Sequence, residues 1–190
     1  MTQAPAAMPR EPRDDPDAAA VRAAQRDRRA FEVLYRRYLD RVYAYAFYAL
    51  GDHHDAEDAT ERTFLAALKG IDAYSHTGAG FRAWLFRIAH NTVSNAMRSR
   101  RRKATQPLPE GWDRAAPNAD PATLVARAEE GRRVLRAVGE LPLDRRQAVL
   151  LRFVDGLSAA EIGEVLDRSP GAVRVLLHRA LRDLAARLDA

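Results

Sequence analysis

From Asp17 onward, apolar side chains recur three and four residues apart, and the alternation of a half-buried strand does not occur. Phe31, Leu34, Tyr35, Tyr38, Val42, Tyr45 and Ala49 mark one face of a helix that Asp27 can cap and that runs to about Leu50. Gly51 suits the position just past its end. A shorter helix over Asp17–Arg26 precedes it. The next predicted helix begins near Asp52–Asp55, where acidic residues complement the helix dipole, and ends near Gly70. Phe64, Ala67, Leu68 and Ile71 form its inward side. After the polar loop Ser75–Gly80 a long helix is predicted from Phe81 to about Lys103, with Phe81, Leu85, Ile88, Thr92 and Ala96 as core stripe. Asp120-Pro121 restarts helix, with Leu124, Val125, Ala128, Leu135 and Val138 apolar, and Leu141-Pro142 breaks it. Asp144 to Gln147 reads as a capping box opening a helix to Val154, closed by Asp155-Gly156.

The last third carries the sharpest local signals. Ser158-Ala159-Ala160-Glu161 is a capping box, and Ser169-Pro170 is a second helix start, with Ser as cap and Pro where its missing N–H costs nothing. Leu166-Asp167-Arg168 is the turn between them. Helix, tight turn and second helix make a helix-turn-helix pattern, which docks its second helix in the major groove of DNA. Val173, Leu176, Leu177, Ala180, Leu181, Leu184 and Leu188 form the apolar stripe of that second helix. Arg174, His178, Arg179 and Arg182 lie on or beside the opposite face. Val175 sits near its centre, where a thymine methyl is a natural contact. The plainer reading is a solvated amphipathic helix in a bundle.

Proline divides the chain. Residues 1–16 carry Pro5, Pro9, Pro12 and Pro16 and read as a disordered tail; residues 104–121 carry Pro107, Pro109, Pro117 and Pro121 and read as a flexible linker. The expected layout is all-α: two small helical domains, 17–103 and 122–190, joined by a Pro-rich tether.

Composition narrows the functions. The net charge of +5 favours polyanionic partners, although only Lys69 and Lys103 are lysines among 31 basic residues, so placement of Arg says more than its abundance. The absence of cysteine removes disulfides, thiol catalysis and Cys-ligated zinc. The longest apolar run, Val42–Leu50, is too short to span a bilayer, and no signal core opens the chain, so the cytoplasm is the expected location. His53, His54, Asp55 and Asp58 resemble the His-Asp pair of an HD-type phosphohydrolase, but such a site needs further ligands that nothing fixes nearby. Neither a catalytic residue nor a metal or cofactor is expected. A second stripe on the long helix, Trp84, Arg87, Asn91, Asn95 and Arg98, is polar apart from its leading Trp and runs into the basic block Arg98–Lys103.

Several segments, in order, resemble the sigma-70 family of RNA polymerase sigma factors, in its compact ECF (extracytoplasmic function) group. Phe31-Glu32-Val33-Leu34-Tyr35 is similar to the family's opening helix. Asp55-Ala56-Glu57-Asp58 followed by Phe64 resembles the acidic segment that binds the polymerase β′ clamp. Phe81 through Asn91 resembles the promoter-melting helix. Leu141-Pro142, Arg146 and Glu161-Ile162 through Ser169-Pro170-Gly171 to His178-Arg179-Ala180 resemble the upstream-element reader. The resemblance implies a factor that directs core polymerase to promoters, with no cofactor. A melted strand calls for an aromatic in place of lost stacking, amides for base edges and cations for phosphates, and the Trp84–Arg98 stripe supplies all three.

By the same resemblance Ser75 and His76 belong to a loop that pockets one flipped base. Asp55, Glu57, Asp58, Glu61 and Phe64 face the polymerase, and Ser169, Gly171, Arg174, Val175, His178, Arg179 and Arg182 face upstream duplex. The β flap and an anti-sigma factor are further implied partners. Asn95 stands where the family usually has Asp, Glu61-Arg62 where it has Gln-Glu, Gly163 where it has Ala, Ala172 where it has Thr, and Val175-Leu176 where it has Ser-Arg. The alternative reading is a stand-alone DNA-binding regulator using only the C-terminal unit.

Overall fold

The computed structural model describes residues 15–76, 78–103, 131 and 133–189, and these contain helices and turns but no strand. The N-terminal bundle consists of α1 (Ala18–Arg26), α2 (Phe31–Leu50), α3 (His53–Gly70) and α4 (Gly80–Lys103). Asp27 accepts a hydrogen bond from the Arg29 N–H and so opens a short 3₁₀ turn, Arg28–Ala30, that feeds α2, rather than capping α2 itself. Gly51 takes the left-handed conformation (φ 72°) that ends α2, and the Asp52 side chain then caps α3 through the Asp55 N–H at 2.9 Å.

Leu34, Tyr38, Val42 and Tyr45 of α2, Ala56, Phe64 and Ala67 of α3, and Phe81, Leu85, Phe86, Ala89 and Val93 of α4 are buried together. Each large side chain so buried contributes about 1.5–3 kcal/mol of apolar transfer. The inner face of α4 is broader than the expected stripe: Ala83, Phe86, Ala89 and Val93 are buried, while Ile88, Thr92 and Ala96 are half-buried. The reason is that α4 has neighbours on two sides, α2 and α3 in its own bundle and α7 across the molecule. Asp17 is fully buried and accepts from the Tyr38 hydroxyl and from Arg37, which ties the start of α1 to α2.

The C-terminal group contains a helical stretch 133–139 (α5), α6 (Leu143–Phe153), α7 (Ala159–Leu166) and α8 (Pro170–Leu188). The Ser158 capping box forms as the sequence predicts: the Glu161 N–H donates to Ser158 Oγ at 3.2 Å and the Ser158 N–H donates to Glu161 Oε2 at 2.8 Å. Ser169 caps α8 through the Ala172 N–H. The turn between α7 and α8 brings the Arg168 carbonyl oxygen within 2.5 Å of where a Cβ on residue 163 would sit, so Gly163 is what this turn accommodates. No capping box forms at Asp144–Gln147; Pro142 holds the cap position, and Gln147 is buried, donating instead to Ser94 Oγ of α4 at 3.0 Å. The expected linker 104–121 and the helix restart through Leu124, Val125 and Ala128 lie outside the described residues, as does the tail up to residue 14.

The two groups pack on each other, α7 along α4 and α6 against α2. At this contact the Asp155 side chain is fully buried and its carboxylate oxygens accept no hydrogen bond among the described residues; Arg41 Nε lies 3.4 Å from Oδ1. Burial pushes this carboxyl up to about 7, against the opposing pull of Arg41 and Arg82. In the unfolded chain it releases its proton near the ordinary value of 3.8. The folded state therefore holds a proton that the unfolded state lacks between those values. Its burial cost is complete above pH 7 and is relieved as pH falls through 7. Asp155→Asn carries no such titration. The thermal midpoint of Asp155→Asn minus that of the native protein is expected to rise between about pH 5.5 and about pH 8. A difference that stays flat or falls over that interval would contradict the assignment.

Candidate nucleic-acid and partner interfaces

Helix α4 presents the first surface. With Phe81, Leu85, Phe86 and Val93 turned inward, Arg87, Asn91, Asn95 and Arg98 are left exposed along one edge. The Asn91 side chain has no hydrogen-bond partner among the described residues, whereas Arg98 Nη2 donates to Asn95 Oδ1 at 2.6 Å, so that pair is already joined. Trp84 belongs only partly to this surface. Its ring is half-buried against Tyr74 (centroids 4.9 Å apart) and Phe81 (5.4 Å), and it closes over Gly70, where a Cβ would lie 3.3 Å from the indole. Arg100, from the basic block, turns back into the bundle and donates to the Leu50 carbonyl at 2.8 Å while pairing with Asp55 at 3.2 Å. His90, on the inner side, is held below its ordinary pKa by burial and then by Arg98.

The loop before α4 is organised by Asp15. Its carboxylate accepts from the Phe81 N–H at 3.0 Å and the Asp17 N–H at 3.0 Å, and lies 3.4 Å from His76 Nδ1. The first turn of α4 is thus capped from 66 residues away in sequence. Gln25 donates to the carbonyls of Ile71 and Tyr74, fixing the preceding 3₁₀ turn. A cavity of about 130 Å³ opens between Asp15, Arg22, Gln25, Tyr74 and His76. The Tyr74 hydroxyl is pushed up to about 12, by burial first and then by the Asp15 and Asp17 carboxylates. Ser75 is exposed at the loop's edge.

Helix α8 presents the second surface. Val173, Ala180 and Leu184 are buried, with Leu177 and Leu188 packed partly beneath, so Gly171, Arg174, His178, Arg179 and Arg182 face out, and Val175 among them is 51% exposed. Ser169 stands at the N-terminus with its hydroxyl engaged as the cap. Leu181, placed by periodicity in the apolar stripe, is 46% exposed: the three-helix contact with α6 and α7 is narrower than the stripe.

Between α2 and α3 runs a third surface, a groove of about 480 Å³ lined by apolar and aromatic side chains with Glu57 and Glu61 at its edge. Phe64, only 5% exposed and edge-on to Tyr35, forms its floor. Asp58 pairs with Arg62, and Asp55 is held by Arg100. The structure therefore leaves Glu57 and Glu61 free to face a partner and gives Asp55 and Phe64 internal contacts. His53 is taken up by the Tyr43 hydroxyl (2.6 Å) and by stacking on Phe47. Among the described residues no three His, Asp or Glu side chains gather as a set that could hold a metal ion.

Sequence reasoning passed over Arg41 and gave Asp15, Gln147 and Asp155 other roles, as part of a disordered tail, half of a capping box and a helix end. Each acts across tens of residues, which no local pattern marks.

Comparison with known proteins gives a consistent result. Residues 34–103 match the family profile described as Sigma-70 region 2, and residues 131–184 match Sigma-70, region 4. The ECF RNA polymerase sigma factor BldN of Streptomyces coelicolor is 36% identical over 181 residues, covering 93% of this chain and 69% of the relative. The ECF RNA polymerase sigma factor SigE of Mycolicibacterium smegmatis is 36% identical over 184 residues, covering 93% and 71%. Among solved structures, CnrH in complex with the cytosolic domain of CnrY is similar with a TM-score of 0.70 and 27% identity, over 91% of this chain and 97% of that one.

Loss of a helix cap typically costs about 0.5–2 kcal/mol. Asp15→Ala is expected to lower stability by about that amount and to raise hydrogen exchange at the Phe81 amide selectively. Unchanged protection at Phe81 would show that the long-range cap does not form.

Proposed function

The chain belongs to the ECF group of the sigma-70 family and directs core RNA polymerase to promoters, and we propose that it divides that task between the exposed faces of α4 and α8. The observation that carries this reading is the solvent-facing edge of α4. Two cations and two amides stand in register on a rigid helix, beside an aromatic cluster and a loop pinned by Asp15. Cations neutralise phosphates, and amides read base edges once the strands have parted. Trp84 contributes one edge of its ring and otherwise stiffens the platform. The loop of Ser75 and His76 receives an unstacked base of the same strand.

Helix α8 reads the upstream element in the major groove. Arg174, Arg179 and Arg182 supply charge, His178 a polar edge and Val175 a methyl contact, with Ser169 and Gly171 close to the backbone at the helix start. Glu57 and Glu61, beside the α2–α3 groove, meet the polymerase clamp, with Asp55, Asp58 and Phe64 shaping that surface from within. The C-terminal group meets the β flap. Two weak sites on one tether gain effective concentration over either alone.

Promoter opening here is binding work, with no catalytic residue or cofactor assigned to the chain. No helix among the described residues is long and apolar enough to cross a membrane, and we place the protein with the polymerase in the cytoplasm. The sigma factor RpoE of Bartonella quintana, which shares this fold, was solved in complex with the anti-sigma factor NepR, and an anti-sigma factor is a partner we propose for this chain by analogy. A stand-alone regulator would account for α8 and leave the α4 edge without a task.

Two substitutions test the division. Asn91→Ala removes an exposed amide, so folding should be preserved within about 0.5 kcal/mol. Open-complex yield with core polymerase should fall by a factor on the order of 5–150, the equivalent of about 1–3 kcal/mol for one base contact. Unchanged yield would remove Asn91 from the strand-binding face. Arg174→Ala should weaken the upstream element by about 1–3 kcal/mol and relax its sequence preference. Equal loss on every sequence would make Arg174 a phosphate contact instead.

A further inference from the structure

The loop that opens α4 is held at both ends by a segment far from it in sequence. At the entrance, Gln25 of α1 donates to the Ile71 carbonyl at 3.0 Å and to the Tyr74 carbonyl at 2.9 Å. At the exit, Asp15, just ahead of α1, accepts from the Phe81 N–H through Oδ2 and from the Asp17 N–H through Oδ1. Its Oδ2 also lies 3.4 Å from His76 Nδ1. Gly80 makes this exit possible. Its φ of 77° is left-handed, and a Cβ there would lie 3.1 Å from Asp15 Oδ2.

Both Asp15 oxygens are thus engaged and the side chain is only 6% exposed, so it acts through the residues it holds and not by meeting DNA itself. With Nδ1 turned to the carboxylate, His76 has the opposite edge of its ring, with Nε2, to offer a ligand. The cavity of about 130 Å³ lies between the two elements, with Arg22 and Gln25 on the α1 side and Tyr74 and His76 on the loop side. The Tyr74 hydroxyl is buried there with no hydrogen-bond partner among the described residues, a state that an incoming polar group or a water completes. A set of recognition groups discriminates only while they are held to within about 0.5 Å. Here the holding is done from α1.

We propose that Asp15 and Gln25 are positioning residues for base selection. They keep Tyr74 and His76 in the one arrangement that accepts a given base, so the N-terminal helix sets the preference at a single promoter position. This role rests on the loop receiving an unstacked base, as proposed above.

It is tested by transcription with holoenzyme, made from the full chain and core polymerase, on a promoter library randomised over the bases that part on opening. Sequenced transcripts give the base preference at each position. His76→Ala alters the loop itself and should flatten one position by a factor on the order of 5–150, the worth of one good base contact. Asp15→Ala and Gln25→Ala should flatten that same position by at least about fivefold and leave the preferences elsewhere unchanged. Asp15→Asn keeps one acceptor oxygen and should lie between Asp15→Ala and the native chain. If Asp15→Ala does not fold, a native preference in Asp15→Asn overturns the role of Asp15. A merely structural residue would lower output on every promoter alike, and helical circular dichroism at the assay temperature reports that each variant is folded. Each residue is judged separately: one whose loss lowers all sequences equally, moves no preference, or moves a different position from His76→Ala is not a positioning residue. In those cases the loop reading survives, because His76→Ala still flattens its position. If neither His76→Ala nor Ser75→Ala alters any position, the loop reading fails and the positioning role falls with it.

Discussion

The inward face of α4 is the constraint on which the other features depend. Phe81, Leu85, Phe86, Ala89 and Val93 must be buried against α2 and α3, and that burial fixes the rotation of a helix of six to seven turns about its own axis. Once the rotation is fixed, Arg87, Asn91, Asn95 and Arg98 have no position except the outer edge. Hydrophobic burial is non-directional, but applied to a helix it sets the direction of every polar side chain on it. Aromatic contacts tighten the arrangement: Tyr45 meets Phe86 edge-on, and Phe81, Tyr74 and Trp84 pack as a cluster under the loop. The loop is then pinned by Asp15 instead of by its own residues, which ties the start of α1, the start of α4 and the small cavity beside His76 together.

The C-terminal group uses a different economy. Its core is smaller, and local capping does more to define the helices. Ser158 with Glu161 and Ser169 with the Ala172 N–H set where α7 and α8 begin, and Gly163 admits the turn carbonyl between them. Glu161 serves twice, as half of a capping box and as the partner of Arg82. Its carboxyl stays below the ordinary range although burial works against it, because Arg82 and Ser158 donate to it. One acidic side chain thereby couples the local stability of α7 to the contact with α4.

Much of this was legible in the sequence, for reasons particular elements make plain. The starts of α3, α7 and α8 were readable because Asp52, Ser158 and Ser169 cap within three residues of themselves, and Gly51 marks an end that only a left-handed residue fits. The exposed edges of α4 and α8 followed from periodicity. What was not legible acts at long range. Asp144–Gln147 imitates a capping box, but Gln147 is buried toward Ser94, a contact 53 residues away that local pattern cannot register. Trp84 stands in the polar stripe by spacing and turns half inward because Tyr74 and Gly70 offer it a surface. Leu181 fits the apolar period and lies half outside, since the number of neighbouring helices, not the period, sets how wide a stripe is covered. Asp155 resembles an ordinary turn residue until α2 is laid across it.

The outer edge of α4 carries the proposed strand-binding role. A photo-crosslinking amino acid at position 91, in the complete assembly of this chain, core polymerase and promoter DNA, reports directly what that edge touches. The proposed strand-binding role predicts crosslinks to single-stranded nucleotides of the promoter, appearing only after the strands have opened. Crosslinks confined to polymerase or to double-stranded upstream DNA would contradict it.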